Sequence, residues 1–249
     1  MRPTFVFLDT ETTGLSREND EIISIAFILL DEKLKEIKRA AFYAMPTVPV
    51  SPEAAKVNGF TKELWEERGA TTQALLVQAV DNFLPKDRVT AVGHNVDFDL
   101  SFTRKLLTAR VFNTRFYRHS LDTLSLSIFC DLLHFGKKSN SYTLENLCTR
   151  FGISNRYAHD AASDVQATLE LFLALKGVLP GNSSLVPPLS SGSAFIKIAN
   201  QEWTVTRGKH KGRTLLDVSI ADPSYLLWMQ NNISDLSAEQ VAAIKSAAA

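Results

Sequence analysis

The chain has 249 residues, 45% hydrophobic and 22% charged, a composition typical of a folded globular protein. Its 27 basic and 27 acidic residues give a formal net charge of zero, so a nucleic-acid ligand would need a local basic patch. Cys130 and Cys148 lack CxxC spacing, and the longest apolar run, Ile25 to Leu30, is far shorter than the ~20 residues of a membrane span. Asp9 comes too early for a signal peptide. We therefore expect a cytoplasmic protein with reduced cysteines and no membrane partner.

The first half of the chain mixes predicted strands and helices. The first two strands are apolar on both faces, as in strands buried between layers of helices. The strands predicted here are Thr4–Asp9, Glu21–Leu30, Lys35–Ala44 and Arg88–Gly93. Prolines at 46, 49 and 52 separate the third strand from the helices. The helices predicted here are Pro52–Val57, Thr71–Leu84 and Phe98–Thr108.

The second half begins with a short predicted strand at His119–Asp122 and continues as helices. The predicted helices are Thr123–His134, Thr143–Phe151 ended by Gly152, and Asp160–Lys176 closed by Gly177 and Pro180. A segment rich in Gly, Ser, Asn and Pro follows, and beyond it the chain has apolar residues of its own. We therefore predict a first domain over 1–178, a linker over 179–193 and a small C-terminal module over 194–249.

Asp9 and Glu11 stand two residues apart at the end of the first strand, so their carboxylates leave the same face. The run Phe5 to Leu8 before them indicates a buried strand, and two acids at its tip need partners. Oxygen ligands suit Mg²⁺ or Mn²⁺, which would neutralise both acids. An exposed strand end is the structural alternative. Gly14 permits a tight turn near a ligand, and the backbone N–H groups around it are candidates for binding a nucleotide 3′ end.

Further candidate residues follow the strand Arg88–Gly93. Asp99 falls at the start of the next helix, where its charge suits the positive end of the helix dipole. Asp97 is an equally good N-cap, so position alone does not select between the two acids. Asn95, with His94 before it, fits either a turn or a substrate contact.

His159 and Asp164 would lie about 140° apart if both were inside one helix. If Asp160 is instead the N-cap, His159 becomes N′ and Asp164 becomes N4, two positions that meet in a hydrophobic staple. A histidine and a carboxylate would then project together at a helix start. A surface histidine beside a capped helix is the structural alternative.

The patterns Asp9-x-Glu11, Asn95-x-x-Phe98-Asp99 and His159-x-x-x-x-Asp164, in this order, resemble the three motifs of the DEDDh 3′→5′ exonucleases. This family includes bacterial proofreading subunits and ribonuclease T, and the resemblance spans about residues 4–176. It implies an α/β, ribonuclease-H-like fold, with a five-stranded mixed sheet flanked by helices.

The same resemblance implies roles for individual residues. The implied ligands of two Mg²⁺ or Mn²⁺ ions are Asp9, Glu11, Asp99 and Asp164, with His159 as the general base. The implied substrate-binding residues are Thr12, Thr13, Gly14, Leu15, Asn95 and Phe98. Asp97 matches a variable position and should not be catalytic, and Asp122 with Thr123 should be structural.

The C-terminal segment resembles the small α+β module of the exodeoxyribonuclease X family. The resemblance is carried by residues 204–213 and by Asp222-Pro223-x-Tyr225-Leu226-x-Trp228. Arg207 stands where the family often has Phe, so an aromatic stacking role is not carried over. Gly208 and Gly212 bracket a basic turn suited to phosphate contacts, with a solvated charged turn as the alternative. The candidate phosphate contacts are Arg207, Lys209, Lys211 and Arg213.

The function that the sequence predicts is metal-dependent 3′→5′ hydrolysis of DNA from single-stranded or duplex ends, releasing 5′-mononucleotides. An exoribonuclease of the same superfamily has the same acids, because the distinction rests on contacts to the sugar 2′-OH. A polymerase-associated proofreading or accessory subunit is the other alternative. DNA 3′ ends are the expected partner, together with a DNA polymerase or repair protein, and the oligomeric state stays open.

Overall fold

The computed structural model describes residues 2–136, 138–155, 158–178, 196–199, 202–205, 209–232, 236 and 238–248. The chain divides into two compact units, Met1–Gly136 with Tyr142–Pro187 and Lys137–Ser141 with Pro188–Ala249. The predicted linker over 179–193 lies outside the described residues, so the proposed domain boundaries stay a prediction. None of the helices in the described part combines the length and the apolar character that crossing a membrane would require.

The first unit is built on a five-stranded mixed sheet in the order β3-β2-β1-β4-β5. Its strands are β1 (Pro3–Thr12), β2 (Ile22–Asp31), β3 (Glu36–Tyr43), β4 (Val89–Gly93) and β5 (Phe116–Asp122). Strands β1, β2 and β3 pair antiparallel, whereas β4 pairs parallel with β1 and with β5. Every residue of β2 is buried, as the uninterrupted apolar run predicts. The predicted fold class is confirmed.

Seven helices among the described residues surround this sheet. They are α1 (Pro52–Asn58), α2 (Lys62–Glu67), α3 (Gln73–Phe83), α4 (Asp97–Arg115), α5 (Thr123–Phe135), α6 (Leu144–Phe151) and α7 (Ala161–Val178). Helix α2 was not predicted. Helix α4 has a non-helical Thr108, so the predicted end falls on a kink. The prediction that Gly177 closes α7 is wrong, because the helix continues through it to Val178, which is buried. Pro180, the other residue predicted to close α7, lies outside the described residues.

Two apolar clusters cover the two faces of the sheet. On one face, Val6 and Leu8 of β1 pack with residues of α3 and α4, including Phe102. On the other, Phe7 packs with α7, and its ring lies 5.4 Å from that of Phe172. Because side chains alternate along a strand, Asp9 and Glu11 continue the face of Phe7, toward α7. The cysteines predicted to be reduced are both buried and free.

The second unit contains a hairpin of β6 (Ile196–Ala199) and β7 (Glu202–Val205), and the helices α8 (Leu215–Ala221), α9 (Pro223–Asn232) and α10 (Ala238–Ala248). It has its own apolar core, in which Val205, Leu226 and Ile244 are fully buried. Thr214 and Asp217 form a capping box at the start of α8. The α+β character predicted for this module agrees with these elements.

Candidate active site

Three carboxylates from β1 and α7 meet at one end of the sheet. One oxygen from each of Asp9, Glu11 and Asp164 lies within 4.8 Å of the other two. Strand alternation places the first two on the face that packs against α7, and Asp164 belongs to the first turn of that helix. Three hard oxygen donors this close match the ligand preference of Mg²⁺ or Mn²⁺. The residues present therefore fit a divalent metal centre.

Asp99 lies beside this group but does not belong to it. The backbone amide and the hydroxyl of Thr10 both donate to Asp99 Oδ1, at 2.9 and 2.7 Å. Pairing between β1 and β4 extends only from Phe5 to Phe7, so the Thr10 amide has no acceptor on β4. Asp99 provides the acceptor instead. The prediction that Asp99 lies at the start of α4 is confirmed, because it is the third residue of the helix. The alternative that Asp97 is the N-cap is wrong, because Val96 takes that position. Metal ligation by Asp99 stays a prediction.

The four acids repel one another in a buried setting. Burial and then the charges of Asp99, Asp164 and Glu11 hold the pKa of Asp9 well above its ordinary value. Burial, followed by Asp164 and Asp99, raises the pKa of Glu11 to about 8. Burial also raises the pKa of Asp99 to about 7, despite the hydrogen bonds from Thr10, and raises that of Asp164. Like charges held together at this cost indicate a site that a cation completes.

This repulsion predicts how stability depends on pH when no metal is bound. Between the ordinary carboxyl pKa of about 4 and the folded value of about 8 for Glu11, the native state binds more protons than the unfolded state. The free energy of unfolding should therefore fall as the pH rises from 5 to 8, by at least ~1 kcal/mol. Urea unfolding in the presence of a chelator, repeated at several pH values, measures this change in the free energy of unfolding.

The Asp9→Asn variant is the control for this pH dependence, because it removes one of the repelling charges. We expect it to be more stable than the unaltered protein in chelator at pH 8 and less responsive to added Mg²⁺. Stability of the unaltered metal-free protein that rises from pH 5 to pH 8 would contradict the electrostatic account.

The predicted N-cap at Asp160 is confirmed, and it places His159 beside Asp164. The Asp160 carbonyl accepts from the Asp164 amide at 2.9 Å, and its carboxylate accepts from the Ser163 amide at 3.3 Å, so Asp160 is the N-cap. The contact itself is made by the His159 backbone, whose amide donates to Asp164 Oδ2 at 2.9 Å. The backbone of His159 has a φ of 67°, and its side chain is exposed. No described residue forms a hydrogen bond with its imidazole.

Two residues that support Asp164 and Asp160 were not found from the sequence. Asn155 donates to Asp164 Oδ1 at 2.7 Å, and its own oxygen accepts from Ser163 at 2.8 Å. Arg68 reaches Asp160 Oδ1 at 2.8 Å, and its charge lowers the otherwise raised pKa of Glu11. Ninety-two positions separate Arg68 from Asp160, so no local pattern could have revealed this pair.

The loop after Glu11 is held together by its own side chains. Thr13 is fully buried and donates to Asp20 Oδ1 at 2.8 Å, while Thr12 donates to the Gly14 carbonyl at 2.6 Å. A Cβ on Gly14 would stand 2.6 Å from the carboxylate of Asp20. A larger residue at position 14 would therefore displace Asp20 from its hydrogen bonds with Thr13 and with the Ser16 amide. These contacts give Thr13 a structural role in the loop. Substrate binding by Thr12, Thr13 and Gly14 stays a prediction.

A cavity of about 260 Å³ adjoins the acids and is lined by Glu11, Leu15 and Phe98 together with residues of α1. Leu15 is 85% exposed, which is unusual for so apolar a side chain. Asn95 is an exposed residue with a φ of 60°, and its amide donates to Asp122 Oδ1 at 2.9 Å. Both of its open alternatives, a turn and a substrate contact, agree with this position.

His94 is a structural residue of the sheet end. Its Nδ1 lies 2.9 Å from the Thr123 hydroxyl and its Nε2 lies 2.8 Å from the Tyr142 carbonyl oxygen. With both ring nitrogens occupied, the turn interpretation of His94 is favoured over a substrate contact. Asp122 accepts from the amides of Asn95 and Leu124, in agreement with the structural role expected for it.

The basic turn of the second unit is partly neutralised. Lys209 Nζ lies 2.8 Å from Asp222 Oδ2, and His210 Nε2 lies 3.0 Å from the same oxygen. Hydrogen bonds from Lys209, Ser224 and His210 lower the pKa of Asp222. Lys211 and Arg213 are exposed and form no ion pair among the described residues. Arg207 and Gly208 lie outside the described part of the chain.

The fold and the acidic cluster define this unit as a ribonuclease-H-like nuclease domain. The family model of the RNase_T exonucleases matches residues 6–172, and the chain belongs to this family. A second model, the exodeoxyribonuclease X-like C-terminal family, matches residues 208–234. Enzymes of the exonuclease family depend on metal ions, in keeping with the three clustered carboxylates.

Several proteins are similar to about 70% of this chain. A PolC-type DNA polymerase III of Caldanaerobacter subterraneus subsp. tengcongensis is 31% identical over 69% of this chain. The DNA polymerase III subunit epsilon of Treponema pallidum is 28% identical over 69% of this chain and 75% of its own length. Among solved structures, E. coli exonuclease I in complex with a dT13 oligonucleotide superposes with a TM-score of 0.59 and 25% identity, over 72% of this chain.

The chain spans only part of most of these relatives. It covers 11% of the PolC-type polymerase and 42% of the exonuclease I chain.

Proposed function

We propose that this protein is a metal-dependent 3′→5′ exonuclease that removes 5′-mononucleotides from DNA ends. The observation that carries the proposal is the meeting of Asp9, Glu11 and Asp164 within 4.8 Å inside a domain of the exonuclease family. DNA is favoured over RNA by the relatives, which are DNA polymerase III proteins and an exonuclease bound to a deoxyoligonucleotide.

The residues of the site would have separate roles in this reaction. The acids would hold two Mg²⁺ or Mn²⁺ ions, which when bound stabilise the negative charge that develops on the phosphate. His159 would take the proton of the attacking water, and its exposed ring leaves room for that water. Its backbone hydrogen bond to Asp164 keeps the base beside the metal ligands. Leu15 and Phe98 line the adjoining cavity and would contact the terminal base and sugar.

The proposal is tested with purified protein, Mg²⁺ and matched single-stranded DNA, duplex DNA and RNA. A 3′→5′ exonuclease shortens a 5′-labelled strand stepwise and releases the label of a 3′-labelled strand at once as a mononucleotide. Digestion of RNA in preference to DNA would select the exoribonuclease alternative. If no strand is digested but DNA is bound, the protein is an accessory subunit.

We also propose that the exposed charges of the second unit bind substrate and take no part in chemistry. Replacing Lys211 and Arg213 by Gln should weaken DNA binding and reduce its salt dependence, with turnover at saturating substrate unchanged, because phosphate contacts raise affinity. Lys209→Gln should have a smaller effect, since its charge already pairs with Asp222. Fluorescence anisotropy at several salt concentrations measures both. Unchanged salt dependence in the double variant would assign the module another purpose, such as protein docking.

A DNA polymerase or repair protein as partner, and a location in the cytoplasm, complete the proposal. The polymerase partner is supported by the DNA polymerase III relatives, and the location by the two buried free cysteines. Pull-down with a bacterial replicative polymerase subunit tests the first point.

A further inference from the structure

A second cavity in the first unit lies on another side of α4 and is lined by arginines. It has a volume of about 500 Å³. Its walls include Arg88, Arg104, Arg118, Asn113, Phe112 and Tyr117. The three arginines come from the segment before β4, from α4 and from β5, so the fold gathers them from positions up to thirty residues apart. In a protein of zero net charge, this is a local basic patch of the kind that nucleic-acid binding requires.

The three guanidinium groups are available to a ligand. All three arginines are exposed, and none has a carboxylate partner within 4.0 Å among the described residues. Arg104 lies over the ring of Phe112, with 5.6 Å from Cζ to the ring centre, which positions its charge at the cavity wall. The one acid in the wall, Asp97, is already paired with Arg17 at 2.7 Å. The cavity is therefore positive toward an incoming ligand.

An aromatic surface accompanies these charges. Tyr117 is 41% exposed, and its ring stacks on that of His119 at 5.2 Å and 12°. Both residues are exposed and lie on β5, which is the edge strand of the sheet. Free cationic groups beside exposed aromatic rings are the combination by which proteins bind single-stranded nucleic acid.

The cavity and the acidic cluster are separate sites on the same helix. Asp97, Leu100, Ser101 and Arg104 form the stripe of α4 that faces the cavity. Asp99, which faces the cluster, is about 160° around the helix from Asp97 and Ser101. Both sites nevertheless adjoin the first turns of α4. A strand with its 3′ end at the acids could pass the start of the helix and continue into the cavity.

We infer that this arginine-lined cavity binds the phosphates of the substrate strand upstream of the nucleotide being removed. The inference rests on the proposed exonuclease function and adds a second contact region to it. Contact with this segment would hold a long strand between cleavage steps, whereas a substrate of one or two nucleotides would not reach it. The cavity should therefore contribute to affinity for long strands and not to the chemical step.

The test compares two triple variants of the full chain with the same loss of charge. The cavity variant carries Arg88→Gln, Arg104→Gln and Arg118→Gln. The control variant carries Lys33→Gln, Lys35→Gln and Arg110→Gln, at exposed positions outside the cavity. Binding of labelled single-stranded DNA is measured in chelator over a series of salt concentrations and strand lengths. Turnover is measured with Mg²⁺ on thymidine 5′-monophosphate p-nitrophenyl ester, which is too short to reach the cavity.

We expect the cavity variant to bind a 15-nucleotide strand about tenfold more weakly near 0.1 M salt. The slope of log K against log salt concentration should become less steep by about 2, because each of the three lost phosphate contacts contributes ~0.7 on a single strand. The control should bind like the unaltered protein, and all three proteins should hydrolyse the ester equally. Equal binding by both variants overturns the inference. A binding defect that is confined to duplex DNA also overturns it, because the cavity would then contact the complementary strand. An equal loss of affinity for a free mononucleotide overturns it as well, because the cavity would then act at the terminal nucleotide.

The outcome for the ester separates this inference from the proposed function. If the unaltered protein hydrolyses the ester and the cavity variant binds DNA normally, the exonuclease proposal stands and the cavity inference fails. If the unaltered protein hydrolyses neither ester nor DNA, the exonuclease proposal fails, while binding in chelator still decides whether the cavity holds a strand.

Discussion

Replacing Asp9 by Ala should lower exonuclease turnover by on the order of 10³-fold or more, the scale seen when one member of a group that acts as a unit is lost. Asp9 contributes one of the three oxygens that lie within 4.8 Å of one another, so its removal leaves Glu11 and Asp164 without the third donor. We expect losses of the same kind for Glu11→Ala, Asp164→Ala and Asp99→Ala, although the last acts beside the group of three. Single-turnover digestion of a labelled strand measures all four.

The control for this prediction is Asp97→Ala. Asp97 stands two positions before Asp99 on the same helix, but its side chain is exposed and pairs with Arg17. Removing it takes away one negative charge without touching the acids, so most activity should remain. Unfolding in chelator shows whether each inactive variant is folded, and the Asp9 variant should be at least as stable as the unaltered protein because repulsion is relieved. Robust cleavage by Asp9→Ala would refute the metal-ligand assignment.

The strands and the spacing of the acids could be predicted because they depend on local patterns. The apolar runs before Asp9 and in β2 indicate buried strands, and alternation fixes the face that Asp9 and Glu11 share. The cap at Asp160 is equally local, and it brings the backbone amide of His159 to Asp164, whereas the meeting of the two side chains stays a prediction. These features need only neighbours within a few positions along the chain.

The features that the sequence did not reveal depend on contacts between distant segments. Helix α2 has six residues, too few for a periodic signal, and it is anchored by Trp65, whose indole donates to the Ile23 carbonyl at 2.8 Å. The hydrogen bonds from Thr10 to Asp99 span 89 positions. Gly177 does not end α7, because Val178 continues the helix and its burial offsets the cost of a glycine inside a helix.

The same limit applies to basic patches. The compact run of charges in the C-terminal turn was visible in the sequence, yet Lys209 is paired with Asp222. The arginines at 88, 104 and 118 are separated by 16 and 14 positions in the sequence and become neighbours only in the fold. Counting charges along a chain finds clusters in sequence, whereas phosphate binding depends on which of them remain unpaired in space.

His159 is the second residue whose loss should have a large effect, and its backbone decides which substitution tests it. A φ of 67° is unfavourable for most residues, by about 1–2 kcal/mol, but Asn tolerates it. His159→Ala would therefore combine loss of the imidazole with backbone strain at a residue whose amide holds Asp164. His159→Asn should keep the backbone and its hydrogen bond while removing the base.

We expect His159→Asn to lower turnover by roughly 10²–10⁴-fold, the range typical for loss of a general base, without abolishing metal binding. Stabilisation by Mg²⁺ in urea unfolding should match that of the unaltered protein, which distinguishes loss of the base from loss of a metal ligand. Raising the pH should recover part of the activity, because hydroxide needs no base to take its proton. Neutral-pH turnover equal to that of the unaltered protein would show that His159 only connects the preceding loop to α7. Loss of the Mg²⁺ effect would instead show that its main contribution is to hold Asp164 in place.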